Sequence, residues 1–320
     1  MDRRLSIVIV NYRTSGLVVE CLRSLAREAA ALGANVTIVD SASGDGSAER
    51  IGQAIEAERW AGWASVIPLD NNGGFGFGNN AALRPLLASS PGPDYFFLLN
   101  PDTVVRPGAV KVLLQFMEDH SEVGIVGSRL EDPDGTPQRC AFRFPTVFGE
   151  LDHGLRLGII SHMLARWVVA PPPPASACQT DWVSGASMMI RRAVLDSIGL
   201  FDEGFFLYFE EVDLCLRAAR AGWSCWYEPR SRVVHLMGQS TGLKTGLDRK
   251  RLPDCWFESR RRYFLKNHGR FYAALVDAVW TAGHLLWRMR RVVQRKPQRD
   301  PEKILTDFLR HSVFLRGFGL

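Results

Sequence analysis

The feature that most constrains the fold is an alternation of short apolar runs with helix-length amphipathic segments along the first part of the chain. Ser6–Asn11, Asn35–Asp40, Ser65–Leu69, Tyr95–Leu99 and Val123–Gly127 read as strands. Between them, Gly16–Leu32, Ser47–Trp60, Asn79–Leu87 and Gly108–Glu118 carry helical spacing, with Pro85 limiting the third. The strand runs are continuously apolar, as a parallel sheet covered on both faces by helices requires. An α/β fold follows. In open α/β sheets, ligands bind beyond the carboxyl ends of the strands. That rule selects Asn11, Asp40, Asp70–Gly78 and Asn100–Asp102, each of which follows a strand.

The alternation then breaks. Residues 132–181 hold DPDGTP, a stretch of mixed polarity, and APPPPAS, whose four prolines favour polyproline II; the expectation is a loop or lid. Order resumes with a strand over Asp181–Ile190, helices over Arg192–Ile198 and Glu210–Ala221, and strands over Trp223–Trp226 and Arg232–Leu236. Helical segments follow near 254–267, 270–293 and 301–315. The expected division is a catalytic domain over 1–250 and a basic helical extension over 251–320.

Charge supports that division. From Arg249 onward there are seventeen Lys+Arg against six Asp+Glu, whereas the preceding residues hold 22 against 28. A basic tail on an acidic body is suited to an anionic partner or is a solvated face. The six cysteines form no CxxC pair or metal-ligand spacing and read as reduced thiols of a cytosolic protein. The apolar run Leu5–Val10 is too short for a signal peptide, and Ala273–Trp287 contains Asp277 and His284, so no spanning helix is expected. The expected location is cytoplasmic, with peripheral contact at the inner face of the membrane. SRRRYFLKNHGR and WTAGHLLWRMRRVVQRK place Trp280 and Trp287 among arginines, a pattern of interfacial helices. The competing reading is a helical subdomain packed on the core or on a second subunit, as in a homodimer.

Three groups of side chains carry chemistry. Asn100 and Asp102 leave the strand YFFLL around Pro101; a carboxylate there is a hard-metal ligand or a cap for the next turn. In FEEVDLCLRAARAG, Glu210 and Asp213 share a helix face, Asp213 is placed to pair with Arg217, and Glu211 points about 100° away. That spacing suits Asp213 to structure and Glu211 to chemistry; the alternative is that all three acids only favour the helix N-terminus electrostatically. His235 ends the strand RVVHL, as a structural residue or a metal ligand.

SIVIVNY, VDSASGDGS, NNGGFGFGNN, LLNPDT, WVSGASMMIRR, FDEGFFLYFEEVDLCLRA and VVHLMGQSTG, in that order over about residues 5–270, resemble the family 2 glycosyltransferases of GT-A fold, and within them the bacterial rhamnosyltransferase-like branch. The resemblance implies a Rossmann-like mixed sheet flanked by helices. It also implies inverting sugar transfer from a nucleotide-diphosphate donor, dTDP- or UDP-linked and in this branch dTDP-L-rhamnose, to a polysaccharide or lipid-linked saccharide. By the same resemblance, Asn11 lines the nucleotide pocket and Asp40 hydrogen-bonds the base. Asn72, Gly73 and Gly74 form the donor-side wall. Asp102 and His235 hold Mg²⁺ or Mn²⁺, Trp182, Gly185 and Ala186 belong to the sugar and acceptor pocket, and Glu211 is the catalytic base. Many relatives have Asp at the positions of Asn100 and Glu211, which leaves Glu210 and Asp213 as alternative bases. Other readings are a nucleotidyltransferase-type enzyme and a non-catalytic nucleic-acid-binding protein. The chain has no GxxxxGK[ST] and no recognisable recognition module, so no nucleic acid is expected as a partner.

Overall fold

A computed structural model describes residues 4–236, 251–298 and 300–320; the GQSTG of the last motif lies outside them. The first half runs β1 (Leu5–Asn11), α1 (Ser15–Leu32), β2 (Asn35–Asp40), α2 (Ser47–Ala57), β3 (Ala64–Pro68), α3 (Phe75–Ala88), β4 (Tyr95–Leu99), β5 (Thr103–Val105), α4 (Ala109–Asp119) and β6 (Val123–Glu131). The second half runs β7 (Ala141–Phe142), α5 (Val147–Leu155), α6 (Gly158–Met163), a 3₁₀ turn (Ala165–Trp167), β8 (Cys178–Thr180), β9 (Trp182–Val183), β10 (Ser187–Arg191), α7 (Arg192–Ile198), α8 (Glu210–Arg220) and β11 (Ser224–His235). Four helices complete it: α9 (Asp254–His268), α10 (Arg270–Val293), α11 (Ile304–His311) and α12 (Val313–Arg316).

The sheet is mixed. Its order is β3-β2-β1-β4-β10-β6-β11-β5, with β8 also on β11, and β7 pairs with β9 in a separate ribbon. Strands β1–β4 are parallel; β10 runs antiparallel between β4 and β6. The chain moves from β1 outward through β2 to β3, then returns to the other side of β1 as β4. That reversal opens a crevice at the carboxyl ends of β1 and β4. Ile7, Ile9, Val36, Ile38, Phe97 and Leu99 are buried with Val18, Leu22 and Leu25 of α1. Burying each such side chain stabilises the fold by about 1.5–3 kcal/mol.

The expected elements shift in four places. The helix expected from Asn79 begins at Phe75, because Gly76 and Gly78 let its first turn press on Phe201 and Val10: a Cβ on Gly78 would lie 2.7 Å from Val10 Cγ1. The single strand expected over Asp181–Ile190 is two, β9 and β10. The two expected near 223–236 are one strand, β11, with Pro229 at a register irregularity that tolerates its missing N–H. Part of the expected loop over 132–181 is helical: the Thr146 hydroxyl accepts from Gly149 N at 3.2 Å and starts α5.

The chain divides into two compact units. The first comprises the chain up to Phe142, Pro172–Phe206, and the part from Glu210 through β11; the second comprises Arg143–Pro171, Leu207–Phe209 and the C-terminal helices. In the second, α5 and α10 meet at glycines: a Cβ on Gly154 would be 2.7 Å from Trp280 O, and one on Gly283 3.1 Å from Leu155 N. Arg260, 4% exposed, donates to Glu150 at 2.7 Å and to Asp277 at 2.6 Å, joining α9, α5 and α10. Among the described residues, no helix is long and apolar enough to cross a membrane.

Candidate active site

Three clusters form in the first unit where strands end. The first joins β1 and β2. Asn11 and Asp40 are register partners in the parallel ladder, so their side chains leave adjacent strands together. Asn11 Nδ2 donates to Asp40 Oδ1 at 2.6 Å, and Ser43 donates to the same carboxylate through its hydroxyl (2.6 Å) and its N–H (3.1 Å). Thr14 donates to Asn11 Oδ1, and Arg13 closes on Ser43 through its N–H and Nε. Asp40 is 4% exposed. A carboxylate has about four lone-pair sites, so three donors orient Asp40 while leaving it capacity to accept one more. Ser43 and Arg13 escaped the sequence reading. The available signal was a serine three residues after a strand-end aspartate, the spacing of a local side-chain-to-backbone turn.

The second cluster is NNGGFGFGNN with the segment preceding α8. Asn72 Oδ1 accepts from Gly74 N at 2.9 Å, which folds the loop on itself. Gly74 has φ +93°, and a Cβ there would lie 1.7 Å from the Phe206 carbonyl oxygen, to which Phe75 N donates at 3.0 Å. Only glycine permits that approach. A Cβ on Gly73 would collide with the Phe77 ring at 2.4 Å. Both glycines are thus required by packing within the protein. Asn79 and Asn80 are buried inside α3 rather than capping it. Asn80 donates to Phe201 O and Glu203 and accepts from Phe201 N, tying α3 to the loop ahead of α8. Phe75 packs edge-on against Phe201, their centroids 6.2 Å apart. On its other side it meets Gly185, where a Cβ would be 3.1 Å from the Phe75 ring and 3.9 Å from Glu211 Cβ. Gly185, Phe75 and Glu211 therefore share one small space.

Tyr208 and Phe209, immediately before α8, have φ of +70° and +65°, a region that costs non-glycine residues energy and gathers at functional sites. In α8 the three acids separate. Asp213 is fully buried and accepts from Arg217 Nε at 2.8 Å; Arg217 also donates to Ile198 O and Leu200 O. Glu210 Oε2 and Glu211 Oε2 are buried with no hydrogen-bond partner among the described residues. Burial pushes Glu211 up to about 7. Burial, reinforced by the Glu211 charge, holds Glu210 well above the usual carboxylate range. A carboxyl near 7 whose buried Oε2 has no partner among the described residues is suited to exchanging a proton with a ligand.

The third cluster joins β4, β5 and β11. His235 pairs with Thr103 across the antiparallel β5–β11 ladder, and Leu236 N donates to Asp102 O at 2.9 Å. The backbone thereby sets His235 Nε2 3.5 Å from Asp102 Oδ1, longer than an ordinary N–H···O bond. His235 Nδ1 is buried without a partner among the described residues, while its carbonyl accepts from Gln138 Nε2. Among the described residues no third His, Cys, Asp or Glu joins the pair. One carboxylate and one imidazole at this separation fit a divalent cation that takes its other ligands from phosphate and water. Asn100 N donates to Ala186 O at 3.0 Å, so the loops after β4 and before β10 are joined there. Trp182 lies on the separate β7–β9 ribbon, stacked on Phe142 at 4.1 Å.

Comparison with known proteins agrees with this architecture. Residues 3–252 match the family model described as "Glycosyltransferase like family 2". The N-acetylglucosaminyl-diphospho-decaprenol L-rhamnosyltransferase of Mycobacterium tuberculosis is 28% identical over 222 residues, 65% of this chain and 68% of that protein. The rhamnosyltransferase WbbL of Escherichia coli is 25% identical over 164 residues, 51% of this chain and 60% of that one. The mannosyltransferase PcManGT from Pyrobaculum calidifontis, solved with GDP-Man and Mn²⁺, superposes with a TM-score of 0.57 at 13% identity, covering 98% of this chain and 84% of that one, a likeness of fold. A matching family model over most of the chain, on a mixed sheet with its polar clusters at the strand ends, makes this chain a member of glycosyltransferase family 2, and a glycosyltransferase.

Proposed function

We propose that the first unit transfers a sugar, with inversion, from a nucleotide-diphosphate donor to a hydroxyl of a polysaccharide or lipid-linked saccharide. The observation that carries this reading is Glu211: a carboxyl near 7 at the entrance to α8, with its Oε2 buried and without a hydrogen-bond partner among the described residues. Its carboxylate takes the proton of the acceptor hydroxyl as the hydroxyl oxygen bonds to the anomeric carbon. The bond from that carbon to the donor diphosphate breaks on the opposite face, and the nucleoside diphosphate leaves. A single base suffices because the donor brings its own leaving group.

The Asn11–Asp40–Ser43 network receives the base and ribose in this reading, with Asp40 fixed by three donors before ligand arrives. The 72–74 loop is the wall beside the diphosphate, and Asn100 lies at its edge. Gly185 and Ala186 leave room for the sugar beside Glu211, and the Trp182 face offers an apolar platform for a pyranose. Asp102 and His235 would hold Mg²⁺ or Mn²⁺, which when bound supplies positive charge beside the leaving diphosphate. The relatives named as rhamnosyltransferases favour a dTDP-L-rhamnose donor. One of them acts on a decaprenol-linked saccharide, which favours an acceptor held at a membrane, met through the basic C-terminal helices.

A thermal-shift panel of dTDP-, UDP- and GDP-sugars, with Mn²⁺, Mg²⁺ or EDTA, tests this. A ligand of the native state raises stability with ln(1+[L]/Kd). A dTDP-sugar is expected to raise Tm only with the cation present, and Asp102→Ala to abolish that increment. No shift across the whole panel overturns the proposal, and an equal shift in EDTA removes the cation from it.

A further inference from the structure

The sequence singled out Trp280 and Trp287 as the apolar face of a membrane-lying helix, but the structure turns both away from that role. Trp280 is 2% exposed and stacks on Phe308 at 3.8 Å and on His284 at 4.8 Å. Trp287 is half-buried among Arg156, Arg290 and Lys296. The opposite side of α10 is apolar as well, and it is open. Phe271 is 95% exposed, Met289 68% and Val293 82%; Leu275, Ala278, Ala282, Leu285, Leu286 and Val292 are exposed with them. At 100° per residue these nine positions fall within about 60° either side of one line. The stripe runs about 33 Å at 1.5 Å per residue.

A polar face toward water is what a solvated surface helix needs, and this helix inverts that arrangement. Its one carboxylate, Asp277, is buried against Arg260 and Val313 N. Its exposed charges are cationic: Arg270 at its start and Arg288 near its end, followed by Arg295 and Lys296. The neighbouring α12 segment repeats the pairing, with Phe314, Leu315 and Phe318 exposed beside Arg316. A second copy would bring cations of the same sign against these, whereas an anionic lipid surface supplies the complement.

We infer that α10 lies in the plane of an anionic membrane, with the stripe Phe271–Leu275–Leu285–Met289–Val292 entering the headgroup region and Arg288, Arg295 and Lys296 on lipid phosphates. The length fits an in-plane helix, whose apolar face sinks only about 5–10 Å. This deepens the proposed transfer to a lipid-linked acceptor, because it fixes which surface of the protein meets the lipid.

The full chain is sedimented with vesicles of phosphatidylglycerol and phosphatidylcholine in equal parts, and with phosphatidylcholine alone. Wild type is expected to pellet with the anionic vesicles and to be released by salt. Leu285→Glu/Met289→Glu should lower that binding at least about tenfold. Because both residues are exposed, its circular dichroism and Tm should match wild type. As a second measurement, Met289→Trp should show a blue-shifted emission, quenched by brominated lipid. Wild type failing to pellet with anionic vesicles overturns the inference, as does Leu285→Glu/Met289→Glu pelleting like wild type. A dimer in sedimentation velocity that the same substitutions dissociate, with no vesicle binding by wild type, assigns the stripe to a second copy instead. Donor binding without vesicles is read separately, so a failed vesicle experiment leaves the catalytic proposal standing, and the reverse also holds.

Discussion

The two units distribute apolar and charged side chains in opposite ways. In the first, the sheet and its helices bury nearly every large apolar group; among the described residues only Tyr12, Ile67 and Phe206 are large, apolar and exposed. The polar groups proposed for its function sit at strand ends, where the backbone ladder stops and side chains can turn toward a ligand. In the second, Arg260, Glu150, Asp277, Asp307, His284 and His311 are buried, while Phe271, Leu285, Met289, Val293, Phe314 and Leu315 face outward. A sheet buried on both faces leaves no choice of side, so an apolar strand must be core. A helix has two sides, and an apolar stripe can face the core or a partner. Paired charges occupy the inner side of α10, which releases its outer stripe for another surface.

Four perturbations separate the units, from the largest effect to the smallest. Glu211→Gln should lower transfer by about 10²–10⁴-fold and leave donor binding intact, read by steady-state rates and by donor thermal shift. Turnover like wild type would move the base to Glu210. Arg260→Met leaves Glu150 and Asp277 buried without their guanidinium. It should cost the protein about 3–5 kcal/mol in denaturant unfolding. Donor binding by the first unit should be unchanged; if it is lost as well, the sheet depends on the helical unit.

Gly74→Ala places a Cβ against the Phe206 carbonyl at φ +93° and should cost about 2–4 kcal/mol, with weaker donor binding. Gly44→Ala is the control: φ is +65° but the space is open, so about 1–2 kcal/mol is expected. Equal losses would show that backbone strain, not the close approach, sets the cost.

The smallest effect is on pH. The Glu211 carboxyl is raised when folded, so the folded state holds its proton more tightly than the unfolded chain. That contribution to stability is complete below about 4.5 and is lost as pH rises through about 7. Glu211→Gln should therefore raise the unfolding free energy at pH 8 by on the order of 1 kcal/mol relative to wild type and leave it little changed at pH 4, read by denaturant unfolding. Transfer runs the other way in wild type, rising with pH through about 7 as the base ionises.

The sheet was legible because buried parallel strands announce themselves as continuous apolar runs. The positions beyond their ends followed from topology alone, and Asn11–Asp40 and Asp102–His235 do meet there. The glycine loop was legible as a place and less so as a function. Gly73 and Gly74 are pinned by Phe77 and Phe206, contacts made by residues far along the chain as well as near it. Ser43, Arg13 and the left-handed Tyr208–Phe209 pair gave only weak local signals or none. The helices in 147–163 were hidden by the prolines that follow them and by a dependence on Arg260, over a hundred positions later.

Apolar runs, strand-end polar residues and seven ordered motifs determined the α/β class, the family and the edge of the sheet proposed to hold the chemistry. Periodicity also marked α10 as a helix. Its residues could not say which of its two apolar sides is covered, because that depends on what packs against it. The tertiary structure decided that Trp280 faces inward onto Phe308 and that the stripe from Phe271 to Val293 faces out. It likewise decided which of three neighbouring acids is spoken for. Asp213 has its arginine, Glu210 is buried and held well above the usual carboxylate range, and Glu211 beside it is left near 7. Spacing fixes directions along an element, but burial and partners come from the elements the fold brings against it.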